Sequence, residues 1–284
     1  MKTREERRFQ IMGNTVMIIL TACALLPMLL LLISSLTDND ALIQNGYSFV
    51  PAKWSFYAYE YIFSTGSSVI KAYGVSIVLT IVGTSLSLVI TTLLAYALAK
   101  KGLPGRGILT FYVFFTMLFN GGLVPTYMNY TNTFGFKNTF WALLVPNLLA
   151  NGFNILLMKS YFVSAVPDEI LEAAYIDGAT EFQTFYRVAL PLAKPIVATI
   201  GLFAGIAYWN DWQNGYIYLT TNTDLYSIQN LLNRMIQNIQ FLSQSSANIA
   251  NANVGLASIP SVSVRMAMAV VGVLPVIIVY PFIQ

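Results

Sequence analysis

The sequence predicts an all-α integral membrane protein, because an apolar composition is combined with six long apolar stretches and an uneven distribution of basic residues. Of the 284 residues, 56% are hydrophobic and only 10% are charged, and the mean hydropathy is +0.64. Soluble domains carry about 25% charged residues. No polar stretch is long enough to fold as a separate soluble unit, so we expect a single transmembrane domain over residues 1–284.

Six stretches are long enough to cross a bilayer, whose apolar core requires about 20 mostly apolar residues per helix. The six predicted transmembrane helices cover roughly residues 11–36, 72–99, 107–128, 140–161, 195–219 and 264–283. The second is rich in small residues such as Gly74, Gly83 and Ala95. Because small residues let helix backbones approach closely, we expect this helix to pack inside the bundle.

The basic residues predict the orientation of the chain. One set of loops holds ten of the 15 Lys and Arg residues. These ten are Lys2, Arg4, Arg7, Arg8, Lys100, Lys101, Arg106, Lys159, Arg187 and Lys194. The positive-inside rule assigns this set to the cytoplasm, together with both termini and the loop 162–194, and it places the loop 220–262 outside.

Several kinds of chemistry are disfavoured by the composition. The chain has no histidine and a single cysteine, Cys23, so the commonest metal ligand and general base is missing and no disulfide can form within the chain. The phosphate-binding pattern G-x-x-x-x-G-K-[ST] does not occur. We therefore expect no catalytic residues, no metal site, no cofactor in this chain and no nucleic acid partner.

The N-terminus has a second interpretation. A basic start followed by an apolar run and the residues LTAC at 20–23 resembles a lipoprotein signal, whose cysteine would be lipidated after cleavage. The apolar run continues past Cys23 to Ile33, where a mature lipoprotein would turn polar. We therefore favour an uncleaved first transmembrane helix.

The loop 162–194 predicts two short helices. Asp168 and Glu169 follow a proline, and carboxylates there favour the N-terminal end of a helix. Gly178 permits the turn that ends the first helix. Thr180 and Gln183 have the spacing of a capping box, which begins the second helix.

Three aromatic residues of the second short helix, Phe182, Phe185 and Tyr186, fall on one face. Such a face suits docking into a groove on another protein. Alternatively, these rings pack against the ends of neighbouring helices of the same chain. Leu190, Pro191 and Pro195 are expected to end the helix before the fifth span.

The residue pattern in this loop resembles the EAA coupling loop of ABC-importer permease subunits, and Val188 stands where that family most often has Ile. The matching positions are Glu172, Ala173, Ala174, Gly178, Val188, Leu190 and Pro191. Other strings resemble the carbohydrate-uptake branch of these permeases, in the subgroup that handles oligosaccharides from complex polysaccharides. They are residues 119–127, 166–169, 263–267 and 280–284.

The resemblance implies a type I ABC-importer permease fold in the bacterial cytoplasmic membrane and a role as the permease subunit of an ATP-driven oligosaccharide importer. It implies a second homologous permease subunit, two ATPase subunits that bind ATP and Mg²⁺, and an extracytoplasmic solute-binding protein. The implied coupling residues are Glu172, Ala173, Ala174, Gly178, Phe182, Phe185, Tyr186, Leu190 and Pro191. The alternatives are a permease for another solute, an ion-coupled secondary transporter, and a membrane scaffold.

Candidate solute contacts lie in the fourth and fifth predicted spans. Aromatic rings and amides suit the apolar faces and hydroxyl rims of sugars. The candidates are Tyr208, Trp209, Asn210, Asp211, Trp212 and Asn151. Asp211 is interpreted as the one carboxylate well within a span, where ionisable residues usually face a cavity. Alternatively, the tryptophans belong to an interfacial aromatic belt, and Asp211 forms a hydrogen bond to a neighbouring helix. Asn147, Asn151 and Asn154 are expected to form a polar stripe that faces the pathway or joins helices, and we favour the second.

The external loop 220–262 is rich in Asn, Gln and Ser. Ile228, Leu232 and Ile239 recur with helical periodicity, so this loop predicts an amphipathic helix. The helix could lie on the bilayer surface or dock against a partner, and we prefer docking because it carries few basic residues. The resemblance implies that this partner is the solute-binding protein.

Overall fold

A computed structural model of the chain describes residues 4–64, 66–249 and 261–283. Lys2, which was counted in the orientation prediction, and residues 250–260 of the predicted external loop lie outside the described residues. The described part of the chain is all-helical, apart from one isolated antiparallel bridge between Thr37 and Trp54. The helical class predicted from the sequence is confirmed.

Fifteen α-helices form the described part. In chain order they are α1 Arg4–Ser35, α2 Asn39–Asn45, α3 Tyr57–Ser64, α4 Gly66–Ala99, α5 Arg106–Leu118, α6 Leu123–Met128, α7 Trp141–Leu144, α8 Gly152–Ala165, α9 Asp168–Ile176, α10 Glu181–Thr184, α11 Leu190–Leu192, α12 Lys194–Asn210, α13 Gln213–Tyr218, α14 Ile228–Ile249 and α15 Ser261–Ile283. Two π-helical turns, Asn129–Thr133 and Phe185–Ala189, and one 3₁₀ turn, Thr223–Leu225, connect them.

The chain divides into two compact units. The first is Met1–Val69 with Leu232–Val279, and the second is Ile70–Leu231 with Tyr280–Gln284. In the first unit, the apolar helix α1 is exposed from Arg8 to Leu29, whereas Ser34 and Ser35 at its C-terminal end are buried. Such a helix suits a surface that lipid or another protein covers. The single membrane domain predicted from the sequence stays a prediction.

Helix α4 organises the core of the second unit. It contributes Ala95 and Tyr96 to a cluster with α8 and α12, Leu79 to a cluster with α7 and α12, and Leu98 to a cluster with α5 and α8. The expected packing of this helix inside the bundle therefore holds for one of its faces.

The small residues of α4 bring it close to α12. A Cβ atom added at Gly83 would lie 2.5 Å from the ring of Tyr208, and one added at Gly201 would lie 3.2 Å from Leu88. Gly74, by contrast, has open space around its Cα atom. Close backbone approach is therefore a property of particular glycines and not of the whole small-residue pattern.

Three of the predicted spans are interrupted, so the expectation of continuous helices there is wrong. The stretch 107–128 bends by 115° between α5 and α6. At the bend, Gly122 adopts a φ of 86°, which favours glycine, and its N–H donates to the Asn120 Oδ1 atom at 2.8 Å. Polar turn chemistry therefore breaks the helix inside an apolar run.

The other two interruptions have similar local causes. In the stretch 140–161, α7 ends before Pro146, which has no N–H to donate, and Asn147 adopts a left-handed φ of 62°. In the stretch 195–219, α12 ends at Asn210, and Asp211 has extended backbone with a ψ of 111°. Asn147 and Asn154 thus do not share one continuous helix, so the predicted polar stripe is wrong.

By length and composition, two described helices could each span a membrane, Arg8–Ser35 and Ser68–Ala99. Two bent pairs, Arg106–Leu118 with Leu123–Thr133 and Glu181–Leu192 with Lys194–Asn210, raise the count to four if each pair is one span. The shorter apolar stretch Val262–Ile278 overlaps most of the sixth predicted span. The count of six spans therefore stays a prediction.

The amphipathic helix predicted in the external loop is α14. Its apolar residues Ile228, Leu232 and Ile239 are buried within the chain. Because this face is already covered, a partner of α14 would meet its polar face, which includes the exposed Gln237 and Asn238.

Candidate functional site

The loop between α8 and α12 folds into a helical hairpin, residues 168–192, that we call the coupling hairpin after the role predicted for it. Its first helix, α9, ends in two capping bonds: the N–H of Gly178 donates to Tyr175 O at 3.0 Å, and the N–H of Ala179 donates to Ala174 O at 2.9 Å. Gly178 has a φ of 82°. This geometry is a Schellman cap, in which glycine avoids the strain of a left-handed residue. The prediction that Gly178 ends the first helix is confirmed.

The second helix of the hairpin begins with the predicted capping box. The Gln183 N–H donates to the Thr180 hydroxyl at 3.4 Å, and the Thr180 N–H donates to the Gln183 Oε1 atom at 2.9 Å. The helix then passes through the π-helical turn and continues to Leu192. A bend of 81° follows before α12, so Pro191 lies within the last turn and does not end the helix by itself.

The three aromatic residues of the second helix separate into two groups. Phe182 and Tyr186 are 68% and 61% exposed, whereas Phe185 is only 8% exposed. Phe185 packs against the ring of Tyr96 on α4, with the ring centroids 4.9 Å apart. Phe185 therefore attaches the hairpin to the chain, and Phe182 and Tyr186 remain available to another molecule.

An aliphatic side chain extends this exposed surface. Ile176, at the end of α9, is 86% exposed, which is more than either exposed ring. An apolar side chain at this exposure gains nothing from the fold of the chain itself. Ile176, Phe182 and Tyr186 are thus the most exposed large apolar residues described in the coupling hairpin, and we call these three its exposed apolar surface.

The remaining predicted coupling residues are spread over the two helices of the hairpin. Glu172 and Ala173 are exposed on α9, and Ala174 is half-buried. Leu190 is half-buried at the end of the second helix, and Pro191 is exposed. The EAA residues therefore lie on the same hairpin as the exposed apolar surface.

A cluster of polar groups joins the coupling hairpin to the end of α4. The Nζ atom of Lys100 donates hydrogen bonds to the Tyr175 hydroxyl and to the Glu181 Oε1 atom. The Tyr175 hydroxyl donates to the other carboxylate oxygen of Glu181 at 2.8 Å. The Lys100 ammonium also lies 5.0 Å from the ring centroid of Tyr96 and 5.1 Å from that of Tyr175, which are favourable cation–π distances.

The pKa values of these groups follow from the contacts. Burial lowers the pKa of Lys100, but its hydrogen bonds to Glu181 and Tyr175 outweigh this and raise it above its ordinary value. Burial raises the pKa of Glu181, but the hydrogen bonds from Lys100 and Tyr175 outweigh this and lower it below its ordinary value. Both groups therefore keep their charges over a wide pH range around neutrality.

A second ion pair joins the same two elements. The Nζ atom of Lys101 donates to the Asp168 Oδ2 atom at 2.6 Å. The Lys101 side chain is 78% exposed, whereas that of Lys100 is 25% exposed. Because exposed ion pairs contribute little to stability, we regard the Lys100 contacts as the stronger attachment.

The six candidate solute contacts do not form one open site. Tyr208 is buried and donates its O–H to Leu144 O at 2.9 Å, and Trp209 is buried with its ring 6.2 Å from that of Tyr73. Asn210 and Trp212 are exposed. Two of these four residues are therefore buried in the chain, and the other two lie at its surface.

Asp211 and Asn151 both cap helices. The Asp211 Oδ1 atom accepts from the N–H groups of Gln213 at 3.2 Å and Asn214 at 3.3 Å, at the start of α13. The Asn151 Oδ1 atom accepts from the Asn154 N–H at 3.2 Å, at the start of α8. Asp211 therefore lies at a break between two helices, and its expected position within a span stays a prediction.

Comparison with known proteins identifies the family. Residues 88–284 match the family described as "Binding-protein-dependent transport system inner membrane component". The chain belongs to this family. Protein LplC of Bacillus subtilis (strain 168) is 35% identical over 263 residues, which cover 93% of this chain and 86% of LplC.

Two further proteins are similar to this inner membrane component over nearly its whole length. The polygalacturonan/rhamnogalacturonan transport system permease protein YtcP of Bacillus subtilis (strain 168) is 32% identical over 281 residues, 99% of this chain and 95% of YtcP. A chain in the crystal structure of a bacterial ABC transporter involved in the import of the acidic polysaccharide alginate has a TM-score of 0.80 and 30% identity, with 100% of this chain and 98% of that chain covered.

Some side-chain contacts of this inner membrane component could not be predicted from its sequence. Lys100 and Lys101 contributed only to the prediction of the chain's orientation. Asn138, with a φ of 59°, accepts at its Oδ1 atom from the N–H groups of Thr220 at 2.8 Å and Thr221 at 3.0 Å. No local pattern pairs residues so distant in sequence. Within the described ranges, no group of three or more His, Cys, Asp or Glu residues could hold a metal ion.

Proposed function

We propose that this chain is the permease subunit of an ATP-driven importer of oligosaccharides. Its six membrane spans, with both termini in the cytoplasm, would form half of the translocation pathway beside a second homologous permease. Two ATPase subunits, which bind ATP and Mg²⁺, would drive transport, and an extracytoplasmic binding protein would deliver the solute. Family membership supports the general role of a transport component, and the more specific role is proposed from the coupling hairpin.

The observation that carries the proposal is the exposed apolar surface of the coupling hairpin. Ile176 is exposed at the end of α9, and Phe182 and Tyr186 are exposed on the second helix of the hairpin. Helix α9 also presents the exposed carboxylate of Glu172. Apolar side chains on a small helical element suit a groove on another protein. We propose that this groove belongs to an ATPase subunit and that its movement displaces the coupling hairpin.

The solute class is proposed from the similar proteins. YtcP is named for polygalacturonan and rhamnogalacturonan, and the structurally similar chain comes from an importer of alginate. Among the candidate contacts, Asn151, Asn210 and Trp212 are exposed and can offer amides and a ring to a sugar. Tyr208, Trp209 and Asp211 would not contact the sugar directly but would hold these exposed residues in place through packing and hydrogen bonds.

The test is reconstitution of the complete complex in lipid vesicles. Uptake and ATP hydrolysis would be measured with a panel of labelled neutral and acidic oligosaccharides, together with a non-sugar solute. We expect one oligosaccharide class to stimulate both activities when the binding protein is present, and vanadate to abolish uptake. Uptake driven by a proton or sodium gradient without ATP would contradict the proposal.

Two variants test the coupling role directly. Gly178→Asp places a charged side chain at a left-handed position, and Glu172→Lys reverses an exposed charge, so we expect both to abolish stimulated ATP hydrolysis. Gly102→Asp is the matched control, because Gly102 has open space and no left-handed backbone. Normal transport by both hairpin variants would refute the assignment of the hairpin.

A further inference from the structure

We propose that Lys100 is a positioning residue that fixes the coupling hairpin to α4, so that displacement of the hairpin moves α4 and, through it, α12. This inference rests on the proposed function, because it assigns the route by which the hairpin acts on the membrane helices. It concerns a residue outside the EAA pattern, at the end of the preceding long helix.

The side chain of Lys100 donates hydrogen bonds to both helices of the coupling hairpin. Tyr175 lies near the end of α9, and Glu181 is the first residue of α10. The hydrogen bond from Tyr175 to Glu181 closes the cluster. A movement of either hairpin helix is therefore transmitted to the ammonium group of Lys100.

Aromatic packing makes the attachment rigid. The ring of Tyr96, one helical turn before Lys100, packs against Phe185 of the hairpin at 4.9 Å and against Phe162 of α8 at 5.7 Å between centroids. Tyr96 and Phe185 are both buried. Because close-packed interiors transmit displacement and do not absorb it, the polar cluster and the rings move as one body.

Helix α4 then carries the displacement to α12. At Gly83 the backbone of α4 lies so close to Tyr208 that a Cβ atom would be 2.5 Å from its ring, and Leu88 lies against Gly201. Tyr208 is near the end of α12, three residues before the helix break at Asp211. A shift at Lys100 therefore reaches the segment that contains the candidate solute contacts.

The experiment uses the complete reconstituted complex and measures solute uptake and ATP hydrolysis in the same vesicles. For Lys100→Met we expect the amount of solute taken up per ATP hydrolysed to fall about fivefold. This factor is near the lower end of the range of coupling factors between distant sites. Lys101→Met is the matched control, because its ion pair is exposed, and we expect a ratio close to that of the wild type. The double variant Lys100→Glu with Glu181→Lys restores the ion pair and should recover most of the ratio.

The ratio separates positioning from folding, because poorly folded complexes lower uptake and hydrolysis together. If Lys100→Met fails to assemble, Tyr175→Phe decides, because it removes only the hydroxyl from the cluster. A lower ratio for Tyr175→Phe supports the inference, and an unchanged ratio overturns it. An unchanged ratio for an assembled Lys100→Met complex also overturns it.

The same experiment distinguishes this inference from the proposed function. If the wild-type complex shows no solute-stimulated ATP hydrolysis, the proposed function fails and the role of Lys100 fails with it. If the wild-type complex couples hydrolysis to uptake and Lys100→Met couples them equally well, only the role of Lys100 is refuted.

Discussion

Replacing Gly83 with alanine tests whether the contact between α4 and α12 is as close as the structure shows. The new methyl carbon would lie 2.5 Å from Cζ and 2.6 Å from Cε1 and Cε2 of Tyr208. Carbon atoms in contact normally stand about 3.5–4.0 Å apart, so the ring or a helix must retreat by about 1 Å. The ring is buried, and its O–H donates to Leu144 O at 2.9 Å, so a retreat breaks this bond.

The expected cost combines three contributions. Overpacking of a buried site costs about 1–3 kcal/mol. Loss of the Tyr208 hydrogen bond adds about 1 kcal/mol. Alanine offsets about 1 kcal/mol through its higher helix propensity. We therefore expect Gly83→Ala to lower the free energy of unfolding by about 1–3 kcal/mol.

The assay is denaturant unfolding of the purified chain in mild detergent, followed by tryptophan fluorescence. Gly74→Ala is the control on the same helix, because open space surrounds Gly74, and we expect it to be neutral or slightly stabilising. In a Tyr208→Ala background, Gly83→Ala should cost much less, because the ring is no longer there. If Gly83→Ala is as stable as Gly74→Ala, the reasoning about close helix contact is refuted.

Three further predictions concern the coupling hairpin, each measured by hydrogen exchange of its backbone amides. Gly178→Ala should destabilise the turn by about 1–2 kcal/mol because of its left-handed φ, whereas Gly102→Ala should change little. Thr180→Ala should lower the stability of the second hairpin helix by about 1 kcal/mol because the cap is lost, whereas Thr180→Ser should keep the cap. Equal protection of the backbone amides from exchange in the two variants would contradict the capping role. Burial raises the pKa of Glu181, but the hydrogen bonds from Lys100 and Tyr175 outweigh it and lower this pKa below its ordinary value. The contribution of Glu181 to the stability of the hairpin is therefore fully present above pH 4.5, and it is lost as the pH falls through the lower pKa of the folded state. In the Glu181→Gln variant, the stability of the hairpin should no longer fall at low pH. If the variant shows the same pH dependence as the wild type, the ion pair is contradicted.

The parts of the site that were predicted correctly depend on neighbouring residues in the sequence. The turn at Gly178 requires one left-handed residue, and the cap at Thr180 requires a partner three residues later. Both are satisfied within a few residues, so the sequence specifies them locally. The pairing of Lys100 with Glu181 joins residues 81 positions apart, and no local pattern selects Glu181 over the other carboxylates of the hairpin.

The helix breaks were missed for a different physical reason. Hydropathy averaged over about 20 residues identifies a span but not its continuity. Pro146 and Asn120 lie among apolar residues that keep the average high, although each residue forms or permits a turn. In the same way, the sequence placed Asp211 within a continuous span, whereas the helix breaks at this residue and its side chain accepts the first N–H groups of α13.

The contrast between α4 and the interrupted helices bears on how movement could pass through the second unit. Helix α4 has 34 residues and no proline, so it extends about 51 Å at 1.5 Å per residue. The segment containing α12 is bounded by an 81° bend before Lys194 and by the break at Asp211. Hinges are usually a few residues at the ends of elements, where changes of φ and ψ are absorbed. A long helix attached to the coupling hairpin at Lys100 would therefore transmit displacement, and α12 would respond as a rigid segment that turns about its two ends.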